Sequence, residues 1–236
     1  MSNILNIFHK IRHQVQQSDQ LCLCCRQSSH SLLCEDCQSD IPVLDHYCIR
    51  CGMPLGGHTD ICGPCALQPP VWDYLHILAD FEFPFRALVH QMKYQKDYSC
   101  ALLLGQMLAN TYPKTEAKPE AIIPVPLHWK RKWLRTFNQS EILAKPIQNQ
   151  LNIPINRDVI QRIRSTKVQA GLNKQERLMN LKNAFQIKSH RYRHVAILDD
   201  VVTTGVTVST LVKLLKESGC QRVDVWAICR TQLHGR

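Results

Sequence analysis

The chain has 236 residues, 44% of them hydrophobic and 20% charged. That length predicts one or two domains; every apolar run stops short of the ~18 residues a spanning helix needs, so no membrane insertion is expected. The net charge is +10, and His128 to Arg193 alone carries 15 Lys and Arg against Glu141, Asp158 and Glu176, a local +12 that calls for an anionic partner such as phosphate or nucleic acid, a solvated basic face being the alternative.

The first stretch, "MSNILNIFHKIRHQVQQ", is not a signal peptide, because His9, Lys10 and Arg12 interrupt its apolar residues. Ile4, Leu5, Phe8, Ile11 and Val15 fall on one face of a short amphipathic helix instead. Four Cys-x-x-Cys knuckles follow: Cys22 and Cys25, Cys34 and Cys37, Cys48 and Cys51, Cys62 and Cys65. Without an export signal the expected compartment is the reducing cytoplasm, where disulfides are rare. Two knuckles together can grip a tetrahedral Zn²⁺ through four thiolates, so the eight cysteines predict about two structural zincs in a double zinc ribbon. A redox role is the alternative for an isolated knuckle. Loops of eight and ten residues favour sequential pairing, while a cross-braced pairing stays open. Cys24 is spare, and Cys100, Cys220 and Cys229 lie in apolar surroundings as packing residues.

Pro69-Pro70 marks a boundary. It divides the chain into residues 1–68, the N-terminal helix and zinc-ribbon module, and residues 71–236. The second part alternates strands and helices. "YLHILADFEF" is a strand, and "FRALVHQMKY" and "YSCALLLGQMLANTY" are helices. "AIIPVPL" is a strand, and "NQSEILAKPIQNQL" is a helix opened by Asn138 and Glu141 at capping-box spacing. "DVIQRI" is a short strand, "NKQERLMNLKNAF" a helix and "HVAIL" a strand. "VTVSTLVKLLKESG" is a helix closed by Gly219, and "RVDVWAIC" is the last strand. This alternation predicts an α/β fold whose mostly parallel sheet is flanked by helices on both faces.

"VAILDDVVTTGVT", Val195 to Thr207, places two acids at the end of a buried-looking strand. In an open parallel sheet, ligands bind outside the carboxyl ends of the strands. Asp199 and Asp200 stand there as acceptors for ribose hydroxyls. Val202, Thr203, Thr204, Gly205 and Thr207 form a turn into a helix, which can hold a phosphate on backbone N–H groups and hydroxyls. The single glycine and the lack of a lysine exclude a nucleoside-triphosphate loop. An ordinary strand–turn–helix with a capping aspartate is the plain alternative.

These thirteen residues resemble the signature of the type I phosphoribosyltransferases. The knuckles, "MKY", "IIPVPL", "FNQSEIL", "QAGLNKQERLMNLKNAF", "LDDVVTTGVT" and "VWAICRT" stand in the same order as in the ComF/ComFC family, including members labelled GntX. The resemblance runs from about Cys22 to Thr231. It implies a zinc-ribbon module joined to a type I phosphoribosyltransferase-like domain. It also implies a role in natural competence, the uptake of single-stranded DNA for transformation, with a competence-machinery partner such as a ComFA-like helicase. The implied ligand is phosphoribosyl pyrophosphate with Mg²⁺. By position, Lys130 and Arg131, with Arg135 behind them, meet the pyrophosphate, and Trp129 and Trp133 flank them as stacking or packing residues. Lys167, Gln169 and Arg177, with Asn180, belong to a hood over the site. Thr136 departs from the family's usual glycine. Thr203 replaces the aspartate of purine-salvage members, which disfavours oxopurine salvage. No general acid or base is evident, although Mg²⁺ and positive charge can drive pyrophosphate departure without one. Two functions remain open: an enzyme that transfers the ribosyl to an unidentified acceptor, and a non-catalytic phosphoribosyl or nucleotide sensor that holds single-stranded DNA or protein.

Overall fold

A computed structural model describes residues 20–41, 46–57, 59–95, 97–113, 117–126, 138–163 and 184–231. Its centre is a four-stranded sheet of β3 (Tyr74–Asp80), β4 (Ala121–Pro124), β7 (His194–Val202) and β8 (Arg222–Arg230). The strands lie side by side in the order β3-β8-β7-β4, and every pair is parallel. Such a sheet must be covered on both faces, which is why β8 is a nearly unbroken buried apolar run.

Side chains alternate between faces along each strand, and two cores result. Ala196 and Leu198 of β7 join Trp226 and Ile228 of β8 in one core. Helices α3 (Phe85–His90), α4 (Tyr98–Thr111) and α5 (Gln139–Leu151) cover that face through Leu88, Leu104 and Leu143. Val195 and Ile197 join Val223 and Val225 in the other core, covered by Val208, Leu211 and Leu215 of α6 (Val206–Glu217). The expected α/β fold, with a parallel sheet between helices, is therefore the observed one. Helices α4 and α5 cross closely at Gly105, where a Cβ would stand 2.4 Å from the Leu143 carbonyl oxygen. Asn138 opens α5 as expected. Its Oδ1 accepts from the Ser140 N–H, and its Nδ2 donates to Glu141 Oε1.

Among the described residues, two antiparallel strand pairs stand apart from the sheet: β1 (Gln20–Leu21) with β2 (Ser28–Ser29), and β5 (Ile160–Arg162) with β6 (Phe185–Ile187). Phe185, expected to end a helix, begins a strand instead. Its ring is buried in the α6-side core with Val159 and Ile160, with the Arg162 guanidinium 5.2 Å from its centroid, and this tertiary setting, rather than a helical period, decides its conformation. That period, Asn173 to Asn183, lies outside the described residues, as does the N-terminal amphipathic stretch. Helices α1 (Glu35–Ser39) and α2 (Gly63–Leu67) each begin immediately after a cysteine, Cys34 and Cys62.

Among the described residues, no helix is long and apolar enough to cross a membrane.

Candidate functional site

The four knuckles assemble in sequence. Cys22, Cys25, Cys34 and Cys37 form one group and Cys48, Cys51, Cys62 and Cys65 the other, with all four sulfurs of each group within 4.8 Å of one another. Four thiolates on one zinc, with bonds of about 2.3 Å, stand about 3.8 Å apart. The Cys25–Cys34 and Cys51–Cys62 sulfur separations are both 3.6 Å. Backbone N–H groups point at another sulfur of each group, from Cys34 to Cys22 Sγ at 3.3 Å and from Cys62 to Cys48 Sγ at 3.3 Å. Burial is the largest single influence and raises the Cys22 and Cys48 thiols, yet several hydrogen bonds together outweigh it: the Cys34, Cys25 and Cys24 N–H groups and the Cys25 thiol at Cys22, and the Cys62, Arg50 and Cys51 N–H groups and the Cys62 thiol at Cys48. They bring Cys22 down to about 6 and Cys48 to about 7. Each group thus offers a closed four-sulfur cage in which a metal ion fits. All twelve cysteines are free thiols, and Cys100, Cys220 and Cys229 are buried as expected.

The second site lies where the chain reverses its direction of travel across the sheet. From β4 it leaves through α5 on one face towards Ile155, which bridges Ile122 in parallel at the outer edge. From β7 it leaves through α6 on the other face towards β8. The carboxyl ends of β4 and β7 therefore flank a topological switch point, the usual place for a ligand crevice in an open α/β sheet. Asp199 and Asp200 stand at that end. Strand β7 is longer than the five residues expected from sequence. It continues through both acids to Val202 because β8 keeps pairing with it, Asp199 opposite Ala227 and Val202 opposite Arg230. Strand β4 stops at Pro124, opposite Leu198, so the acids have no β4 residue beside them.

Asp200 lies on the side of α3 and takes the Lys93 ammonium at 2.9 Å, in a pair whose side chains are only 20% and 15% exposed. Lys93 belongs to a π-helical turn, Gln91–Gln95, that prolongs α3. Such turns are rare and often mark functional positions. Asp199 precedes Asp200, and the Oδ1 of Asp199 accepts from the Asp200 N–H at 2.9 Å. Burial first, and then the neighbouring Asp200 carboxylate, push Asp199 up to about 7, against the pull of that N–H and of Lys93.

The turn after β7 opens α6. Thr203 and Thr204 are exposed, Thr207 half-buried and Val202 buried. Gly205 is the N-cap at φ +70°, and among the described residues no side-chain hydrogen bond caps the helix. This differs from the plain capping-aspartate alternative. The first-turn N–H groups of α6 have no intrahelical acceptor, and the positive end of the helix dipole adds to their pull on an anion. Gly205 is required twice over: its backbone is left-handed, and a Cβ would meet Trp72 Cη2 at 3.1 Å.

The described residues thus bring together Asp199, Asp200, Val202, Thr203, Thr204, Gly205 and Thr207. Lys130, Arg131, Arg135, Trp129, Trp133 and Thr136, and the hood residues Lys167, Gln169, Arg177 and Asn180, lie outside the described residues. Sequence reasoning assigned no role to Lys93 or Trp72. A lone lysine after the apolar run of α3 was the available signal for the first. Nothing local marked Trp72, since its position beneath Gly205 depends on how β3 lies beside β8.

No family model matches the chain. It is 36% identical to competence protein F of Haemophilus influenzae, over 89% of this chain and 96% of that one. It is also 36% identical to the DNA utilization protein YhgH of Escherichia coli K12, over 89% of this chain and 97% of that one. Among solved structures, it is similar to a glutamine phosphoribosylpyrophosphate amidotransferase from B. subtilis complexed with ADP and GMP, with a TM-score of 0.40 and 18% identity over 59% of this chain and 30% of that one.

Proposed function

The chain belongs to the family of competence protein F and DNA utilization protein YhgH, and from that premise we propose that it binds phosphoribosyl pyrophosphate with Mg²⁺ and acts on single-stranded DNA during competence. The observation that carries the ligand assignment is the acid pair at the switch point followed by an uncapped helix start. Asp199 and Asp200 take the ribose hydroxyls, and the Thr203–Thr207 turn takes the 5-phosphate on N–H and hydroxyl donors. Lys93 orients Asp200 through their 2.9 Å ion pair. Lys130 and Arg131 are the proposed cations for the pyrophosphate, and Lys167, Gln169 and Arg177 the proposed cover. Mg²⁺, when bound, neutralises charge on the pyrophosphate. Zinc is the proposed occupant of both four-cysteine groups, closed and structural.

A non-catalytic reading on the same fold also has support. The +12 stretch from His128 to Arg193 exceeds what one pyrophosphate needs, which favours a sensor or adaptor that holds single-stranded DNA.

Phosphorus NMR of phosphoribosyl pyrophosphate with Mg²⁺ and stoichiometric protein distinguishes these outcomes. Perturbation of both the 5-phosphate and the diphosphate resonances is expected. Growth of a free pyrophosphate signal after an acceptor is added identifies a transferase, and its absence a binding module. Unperturbed resonances overturn the ligand assignment.

A further inference from the structure

We infer that each four-cysteine group is a brace for one wall of the switch-point site, with Gln91 and Trp72 as the positioning residues. The inference adds to the proposed function and shares its assignment of the site.

The first brace runs through Gln91. The Cys22–Cys25 knuckle places Arg26 in a left-handed conformation at φ +64°, with its N–H donating to the Cys22 carbonyl at 3.0 Å. From there Arg26 Nη2 donates to Gln91 Oε1 at 2.7 Å and to Gln95 Oε1 at 3.1 Å. Gln91 Nε2 returns the contact by donating to the Leu23 carbonyl inside the same knuckle. Gln91 and Gln95 are the first and last residues of the π-helical turn, so the knuckle clamps both ends of the five residues that carry Lys93. Cys22, Leu23, Leu33 and Cys37 also share the core that includes Met92. Lys93 meets Asp200 at 2.9 Å from this clamped turn.

The second brace runs through Trp72. Its Nε1 donates to the Arg50 carbonyl at 2.6 Å, and Arg50 Nη1 donates back to the Trp72 carbonyl at 2.9 Å. Arg50 lies inside the Cys48–Cys51 knuckle, and the adjacent Ile49 carbonyl accepts from the Leu75 N–H of β3 at 2.7 Å. The far edge of the indole is the surface on which Gly205 rests. Moving the knuckle moves the ring that supports the phosphate turn.

In both braces the polar partners are fixed only while the knuckle keeps its shape. Four cysteine sulfurs converging within 4.8 Å hold that shape best around a metal ion, because the free energy of binding a metal is coupled to the fold of its site. Metal occupancy therefore sets the order of the two ligand-binding walls separately.

Hydrogen exchange of the metal-loaded full chain tests this. Cys34→Ser is expected to raise exchange in Gln91–Gln95 and leave Thr203–Thr207 unchanged. Cys62→Ser is expected to do the reverse. Gln91→Ala and Trp72→Phe keep all eight thiols; each is expected to reproduce its own regional change with metal content unaltered, and to weaken phosphoribosyl pyrophosphate about tenfold. Equal exchange in both segments for every variant, or a rise spread evenly over the sheet, overturns the brace. Failure of the unmodified chain to bind phosphoribosyl pyrophosphate instead overturns the proposed function, and the exchange pattern still decides the brace.

Discussion

Asp199 keeps its proton up to about pH 7 in the folded chain, against 3.8 for an ordinary aspartate. The folded state then holds a proton that the unfolded state has lost, so this group costs stability as pH rises from about 4, and fully above about 7. Asp199→Asn removes that cost. In urea unfolding, the variant is expected to exceed the wild type by about 1–3 kcal/mol at pH 8, with the difference vanishing near pH 4. A difference independent of pH contradicts the buried-carboxylate picture. A ligand that needs the ionised acid must displace this proton, so its affinity is expected to fall about tenfold per unit below pH 7. Lys93 acts in the opposite sense, as the cation that favours the charged form of Asp199. Lys93→Ala is expected to raise the Asp199 pKa further, read as a shift of its carboxyl carbon titration by NMR.

At the scale of elements, Gly205 joins β7 to α6 under two constraints, a left-handed backbone and the Trp72 ring. Gly205→Ala is expected to cost about 1–2 kcal/mol of stability and to weaken ribose 5-phosphate more than pyrophosphate; equal weakening of both contradicts the phosphate turn. Much of this element was legible in the sequence. Four apolar residues before two acids and a Thr/Gly turn state a strand, its end and an anion-binding helix start within thirteen residues. The grouping of the cysteines was nearly legible too, because their spacing is local. Less legible were features set by distant contacts. Strand β7 runs past its acids because β8 pairs with them, and Phe185 is a strand residue because Val159 and Ile160 bury it. Lys93 became a site residue only when α3 was laid against the α4 and α5 face of the sheet.

At the scale of the whole molecule, the two cysteine groups flank the sheet from different sides. Cys22 and Cys37 share the core beneath α4 and α5, whereas the Cys48–Cys51 knuckle reaches β3 and Trp72. Two zincs per chain are expected from metal analysis, and one would contradict either the sequential grouping or the occupancy of one cage. The +12 stretch is expected to retain single-stranded DNA with affinity that falls steeply as salt rises, since displaced counterions supply most of such binding. Retention that does not change with salt contradicts an electrostatic contact.

The central claim is that the carboxyl edge of the sheet is a phosphoribosyl pyrophosphate site. Calorimetric titration of that ligand with Mg²⁺ into the wild type and into Asp199→Asn/Asp200→Asn tests it most directly. Saturable binding at one ligand per chain in the wild type, lost in the variant while its fold and metal content persist, is the predicted result. No binding to the wild type, or equal binding to both, contradicts it.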